Sequence, residues 1–285
     1  MEVILLTRSG KNGGACVAGI DTETRRFVRF VRDPGTAKEI PFSDIKGLKA
    51  LDLVTVKVKQ RCPIGPQSEN VLVPRYAFRK TGSYSGSISE LCSSISYPNN
   101  LSLLDTTENR LERVEHFQHS LELVLVRDLV LKKHVKYDNS ITTRAYFTKG
   151  NRKYANYRVT DLQYDLRKGQ GETLRIPCAA LVLSIPIKTY SINGTDMGYY
   201  KFIASIFPLE ETSTVTTAGH EAGQQLLTDA VPETPRNSYA PWTKTEDWAL
   251  IKEFYSEMSV AQMAAAHKRS EGAIHSRLKK LGFTK

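Results

Sequence analysis

Cations and aromatics interleave most densely between Arg144 and Arg158. Arg144, Tyr146, Lys149, Arg152, Lys153, Tyr154, Tyr157 and Arg158 flank a Lys149-Gly150-Asn151 turn. Lysine and arginine neutralise phosphates and a ring gives any base a stacking partner, so this pattern suits a single nucleic-acid strand. A shorter version surrounds Arg25, Arg26, Arg29 and Arg32, with Phe27 and Phe30 between them. The same rings could instead fill a barrel core, a use that spacing alone does not separate from stacking. Arg8, Lys11 and Gly13-Gly14 could hold a phosphate or simply turn the chain between two strands.

A third set begins at Pro241. Thr243 with Glu246 reads as a capping box, opening a helix that carries Trp248, Leu250, Ile251, Phe254 and Tyr255. Ser259 caps a second helix with Met263 and Ala264–Ala266. Ser270 caps a third, with Glu271 in its first turn, Ala273, Ile274 and Leu278 as an apolar stripe, and Gly282 as stop. Arg269, His275, Ser276, Arg277, Lys279 and Lys280 give that helix a basic, hydrogen-bonding face. Small Ser270 and Gly272 permit close approach to a nucleic-acid backbone, as in a helix entering the major groove.

The phrase from Arg269 to Gly282 (RSEGAIHSRLKKLG), with Trp242-Thr243 and Glu246-Asp247 upstream, resembles the bacterial Myb/SANT-like helix-turn-helix. That resemblance implies contact with duplex DNA, although some bundles of this type bind protein tails.

Catalytic patterns are incomplete. His116 and His119 form H-x-x-H without a third ligand nearby. His134-Val135-Lys136 matches the H-x-K of phospholipase-D-type nucleases, but Ile141 stands where that motif needs Asp. Asp161 and Asp165 near Lys168 make an untidy acidic pair. No Walker-type loop and no G-x-S-x-G elbow occurs. The expectation is therefore no catalytic residue, no metal and no cofactor. Two rivals remain: a metal-dependent nuclease using Asp161 or Asp165, and an adaptor that recruits a co-encoded protein partner.

The elements that must position these residues are mostly strands. Met1–Arg8, Gly14–Asp21, Arg26–Arg32, Leu51–Arg61 and Asn70–Arg79 predict about five strands in the first 80 residues, enough for a small closed or nearly closed barrel. Helices are expected at Ile88–Ile95 and within Asn109–His119. Strands resume at Ser120–Val126, Val130–Lys136, Thr142–Thr148, Asn151–Val159, Ala179–Ile187 and Tyr199–Phe207, with Ile185–Tyr190 and Tyr199–Phe207 as a long hairpin. The stretch 209–240 is rich in Thr, Ser, Gly and Pro and carries Glu210, Glu211, Glu221, Asp229 and Glu233 against Arg236, so it reads as an acidic flexible linker.

The chain of 285 residues has 40 Lys+Arg against 30 Asp+Glu, and this excess favours an anionic partner. Cys16, Cys62, Cys92 and Cys178 lie too far apart for a zinc knuckle and read as core residues of a reducing compartment. No run approaches the ~18–20 apolar residues of a membrane span, and Met1-Glu2-Val3 starts a strand without a basic leader. A cytoplasmic, nucleoid-associated protein with no membrane partner is expected.

The phrases Ile4–Ser9, Gly19-Ile20-Asp21 with Phe27-Val28-Arg29, Tyr157–Asp161 and Gly198–Ala204 are similar to those of a bacterial and phage-conflict family with dual OB-fold domains. The resemblance spans about 1–208. It implies a mainly β fold: two OB-like small barrels (about 1–80 and 120–208) joined by a helical connector (81–119), followed by the C-terminal three-helix bundle (241–285). It also implies a nucleic-acid-binding role and leaves the substrate open. Taken with the C-terminal module, the whole chain is expected to bind DNA, single-stranded, duplex or both, as a non-catalytic accessory subunit of a bacterial or phage defence, repair or recombination assembly.

Overall fold

The computed structural model describes residues 1–11, 14–114, 117–135, 140–166, 173–192, 195–209, 241–243, 246–247, 249–250, 253 and 258–280. The chain divides into two compact units, Met1–Lys133 with Thr142–Glu211, and His134–Ile141 with Thr212–Lys285.

In the first unit β1 (Glu2–Lys11), β2 (Gly14–Asp21) and β3 (Phe27–Val31) form an antiparallel meander. β4 (Asp52–Val56) returns beside β1. After three residues the same run becomes β5 (Gln60–Arg61), which pairs with β6 (Asn70–Leu72). β6 lies parallel to β3, and β7 (Phe78–Ser83) adds to the outer side of β4. The strand expected over Leu51–Arg61 is thus split, because its two ends serve different neighbours. The one expected over Asn70–Arg79 is shared between β6 and β7. A capping box of Ser87 and Glu90 starts α1 (Ile88–Ser94).

β8 (Arg110–Leu111) replaces the helix expected within Asn109–His119, since these residues pair with β15 (Tyr199–Tyr200). β9 (Leu121–Val135) is one strand where two were expected; Asp128, with φ of 53°, absorbs the interruption. β10 (Ile141–Lys149), β11 (Arg152–Val159), β12 (Thr173–Ser184) and β16 (Phe202–Pro208) complete a closed barrel in the order β10-β11-β16-β12-β9. The hairpin expected from Ile185–Tyr190 gives way to pairing of β12 itself with β16. A small ribbon of β13 (Ser191–Ile192) and β14 (Thr195–Asp196) lies in their connection.

The seven-stranded sheet β5-β6-β3-β2-β1-β4-β7, which the β4–β5 run makes barrel-like, and the closed second barrel follow one path. A three-stranded meander places its third strand parallel to the last strand, and the fourth run pairs with both first and last. β1, β2, β3, β4 with β5, and β6 correspond to β9, β10, β11, β12 and β16. This is the Greek-key path of OB-like barrels, repeated without a legible sequence repeat.

Continuous apolar runs mark strands buried on both faces. On β1, Val3 and Leu5 enter the first barrel's core while Ile4 and Leu6 face the other way. There they meet Leu121, Leu123, Ala180, Val182 and Ala204 of the second barrel in a shared apolar layer. β12 divides likewise, with Leu181 and Leu183 inside and Ala180 and Val182 in the shared layer. Within the first barrel Gly19 lets β2 close on β1, because a Cβ there would lie 2.2 Å from the Ile4 carbonyl oxygen.

The layer has one charged seam. Arg29, 5% exposed, pairs with Glu69 at 3.3 Å and donates to Ser120 Oγ at 2.7 Å and Ser184 Oγ at 3.3 Å. Ser120 Oγ also donates to Glu69. One guanidinium thereby ties β3 to β9 and β12.

In the C-terminal unit α2 (Val260–His267) starts at a capping box of Ser259 and Gln262 and ends at Lys268, with φ of 52°. α3 (Glu271–Lys280) follows, Ser270 Oγ accepting from Ala273 N–H. Met263, Ala264, Ile274 and Leu278 pack with Leu250. Thr243 and Glu246 form the expected capping box, and Glu246, Asp247, Ala249, Leu250 and Glu253 are helical. Trp248, Ile251, Phe254, Tyr255, Gly282 and residues 210–240 lie outside the described residues.

Removing one member of a buried ion pair strands its partner's charge, at a cost of about 3–5 kcal/mol. Glu69→Ala is therefore expected to lower the urea midpoint followed by circular dichroism, by far more than Arg61→Ala on an exposed strand. An unchanged midpoint would remove the seam from the account.

Candidate nucleic-acid interface

The β10–β11 hairpin carries the densest expected cluster, and a bulge decides which of its residues face solvent. Ala145 pairs with Tyr157 and Phe147 with Tyr154, so Tyr146 is opposed by two residues, Ala155 and Asn156. Asn156 adopts φ of 63° to make this possible. Regular alternation would send Tyr154 and Tyr157 to opposite faces; the bulge turns both inward. Tyr154 stacks on Phe147 at 5.1 Å and donates to Leu104 O, while Tyr157 is wholly buried and donates to Glu108 O. Neither presents a ring to a bound base.

Tyr146 remains on the outer face, half-buried, with Lys132 Nζ 5.4 Å from its ring centre. Strand pairing gathers cations on the same face: Thr173 lies opposite Lys132, Arg175 opposite Val130 and Lys153 opposite Thr148, whereas the Lys149–Arg152 pair falls on the Phe147–Tyr154 side, where Arg152 donates to Asp105 O. Arg127, Lys132, Arg152, Lys153 and Arg175 are exposed, and Lys149 is half-buried. The carboxylates on β9–β12 are Glu122 and Asp128. Glu122 is buried, accepting from Ser102 Oγ and Leu103 N–H; Asp128 accepts from Thr148. Sequence reasoning missed Arg127, Lys132 and Arg175. Each stands among apolar residues in its own strand, and only pairing gathers them.

Arg144 is 4% exposed and donates to Asn156 O at 3.3 Å. Burial, reinforced by Arg158 directly across the ladder, lowers its pKa to about 10. It belongs to the barrel wall rather than to a phosphate track. Arg158 is half-buried on the neighbouring strand. Of the first cluster, Arg25 and Arg26 are exposed, Arg29 forms the seam, and Arg32 ion-pairs with Asp44 while donating to Val73 O. Phe27 and Phe30 are buried.

The C-terminal unit sorts its own candidates. Trp242 lies 4.1 Å from the Arg269 guanidinium and 5.6 Å from that of Arg277. Arg269, 3% exposed, also pairs with Glu246 at 3.0 Å, and Arg277 grips both oxygens of Asp247 at 2.5 and 2.6 Å. These two arginines knit the unit together. Ser270, Gly272, His275, Ser276, Lys279 and Lys280 stay exposed.

Asp161 directs one oxygen to Gln163 N–H and the other to Ile206 N–H, and its pKa is raised by burial. It caps a turn. Asp165 is buried nearby. His119 is buried against Tyr97, with its pKa lowered by burial. Among the described residues no three His, Cys, Asp or Glu side chains group as a metal site. His116, Lys136, Lys168 and Gly13 lie outside the described residues, as does the Lys11 side chain. No helix among the described residues is long and apolar enough to cross a membrane.

A family model described as DuOB, Dual OB-containing domain, matches residues 1–206. No curated protein and no solved structure matches the chain. The family match ends before Trp242, so the C-terminal unit rests on its own geometry.

That geometry is titratable. Hydrogen bonding from the Thr243 backbone, then from Arg269, holds the Glu246 carboxyl at about 2, below its ordinary 4.5. A depressed folded pKa adds stability above pH 4.5 that is lost as pH falls towards 2. Both tryptophans, Trp242 and Trp248, lie in this segment, so their fluorescence reports on it selectively. Glu246→Gln is expected to lower the unit's stability at neutral pH and to flatten its response between pH 4.5 and 2. An unaltered acid response would refute this assignment.

Proposed function

This chain belongs to the dual OB-containing domain family, and from that premise we propose that it is a non-catalytic nucleic-acid-binding protein whose partner is DNA. The observation that carries the reading is the outer face of the closed barrel. There Arg127, Lys132, Lys153 and Arg175 surround Tyr146. OB barrels take oligonucleotides on their second and third strands, which here are β10 and β11. One ring framed by cations supplies a stacking platform and a phosphate track.

The C-terminal unit is read as a Myb/SANT-like helix-turn-helix with α3 as recognition helix. Ser270, Gly272, His275, Ser276, Lys279 and Lys280 are its contacts, while Arg269 and Arg277 are structural. Tethered through 209–240, it adds affinity by effective concentration, gripping duplex while the barrel holds a strand. Such a division of labour suits an accessory subunit of a bacterial or phage defence, repair or recombination assembly.

The test is fluorescence anisotropy with single-stranded DNA, duplex DNA and single-stranded RNA over a salt series. Lys132→Glu with Arg175→Glu is expected to weaken single-strand binding roughly tenfold or more. It should also reduce the slope of log affinity against log salt by ~1.4, at ~0.7 per lost phosphate contact. A chain ending at Leu209 should lose duplex affinity preferentially. Unchanged affinity in the double variant, or no nucleic acid bound at ~0.1 M salt, would overturn the proposal.

A further inference from the structure

A cleft of about 530 Å³ opens between the two barrels. Ser9, Cys16 and Arg29 line it from the first barrel, and Arg158, Ser184 and Phe202 from the second. The two arginines hold equivalent places. Each lies on the third strand of its meander and begins the parallel register with the last strand, Arg29 beside Asn70 and Arg158 beside Phe202. The repeated fold thus aims one guanidinium from each barrel at a common space.

The chemistry of the lining points to an anion that carries a ring. Ser9 is 4% exposed and lines the cleft with its hydroxyl-bearing side chain. Ser184 Oγ accepts from Arg29 and keeps its own hydrogen to donate. Arg29 is balanced by Glu69 and fixed by four partners, so it orients Ser184 and lends field rather than moving to a ligand. Arg158 is half-buried and supplies the guanidinium at the opposite wall. Phe42, 40% exposed, and Phe202 provide aromatic surface in the same cleft. A phosphate suits buried hydroxyl donors and a guanidinium, and a base suits the rings. The volume falls in the ~300–1,000 Å³ range of small-molecule sites, which favour such junctions.

We propose that the inter-barrel cleft is a mononucleotide site, its phosphate held by Arg158, Ser9 and Ser184 and its base by Phe42 and Phe202. The cleft lining includes none of Arg127, Lys132, Tyr146, Lys153 and Arg175, so the two sites can be tested apart.

Isothermal titration calorimetry of the full chain tests it with adenosine, guanosine, cytidine, uridine and thymidine 5′-monophosphates as probes. Adenosine and inorganic phosphate serve as controls. At least one mononucleotide should bind one-to-one. Both controls should bind at least tenfold more weakly. Arg158→Ala should weaken binding roughly tenfold or more, the scale of a charge-assisted hydrogen bond. Phe42→Ala, at an exposed position, keeps the test valid if Arg158→Ala fails to fold, and should also weaken binding. The Lys132→Glu, Arg175→Glu variant should retain the mononucleotide even where it loses a strand. The proposal is overturned if no mononucleotide binds, if phosphate alone binds as tightly, if Phe42→Ala binds as the parent does, or if the outer-face variant loses the nucleotide.

Discussion

Everything in the β body depends on how two barrels come to share one wall. Ile4, Leu6, Ala18, Ile20 and Phe27 on β1–β3, and Leu121, Leu123, Ala180, Val182 and Ala204 on β9, β12 and β16, form apolar outer stretches that neither barrel can leave to water. Burying that layer fixes which strands carry apolar residues on both sides. It also places a cation in a setting that tolerates none unpaired, and Glu69, Ser120 and Ser184 supply the partners Arg29 needs. The neighbouring cleft shares Arg29 and Ser184 with this seam.

Burial divides the basic residues into two working groups. Arg29, Arg32, Arg144, Arg269 and Arg277 are fixed by partners or packing. Their planar guanidinium groups can be desolvated because several donors are satisfied at once. Lys132, Lys153, Arg152, Arg175, Lys279 and Lys280 remain in solvent, where a phosphate can replace water at small cost. An excess of positive charge therefore overstates the binding surface, since part of it is architecture.

Much of the fold was legible. Met1–Arg8 and Ala179–Ile187 read as strands, and Thr243, Ser259 and Ser270 marked helix starts that the capping bonds bear out. What escaped was long-range or irregular. Nothing local says that Leu51–Arg61 must serve two neighbours, or that Arg110-Leu111 meets Tyr199-Tyr200 rather than coiling into a helix. The hairpin cluster was half legible. The bulge at Ala155–Asn156 puts Tyr154 and Tyr157 on the same, inward face, and no periodicity rule anticipates an inserted residue. Lys132 and Arg175 could be gathered only by the β9–β12 register.

The central claim is that a nucleic-acid strand lies across the outer face of the closed barrel. Ultraviolet cross-linking of single-stranded oligothymidylate to the full chain, with adducts mapped by mass spectrometry, addresses it directly. The account predicts adducts at Tyr146 and in the peptides that carry Lys132 and Lys153. Adducts confined to residues before Leu121 or to the C-terminal unit, or none at all, would contradict it.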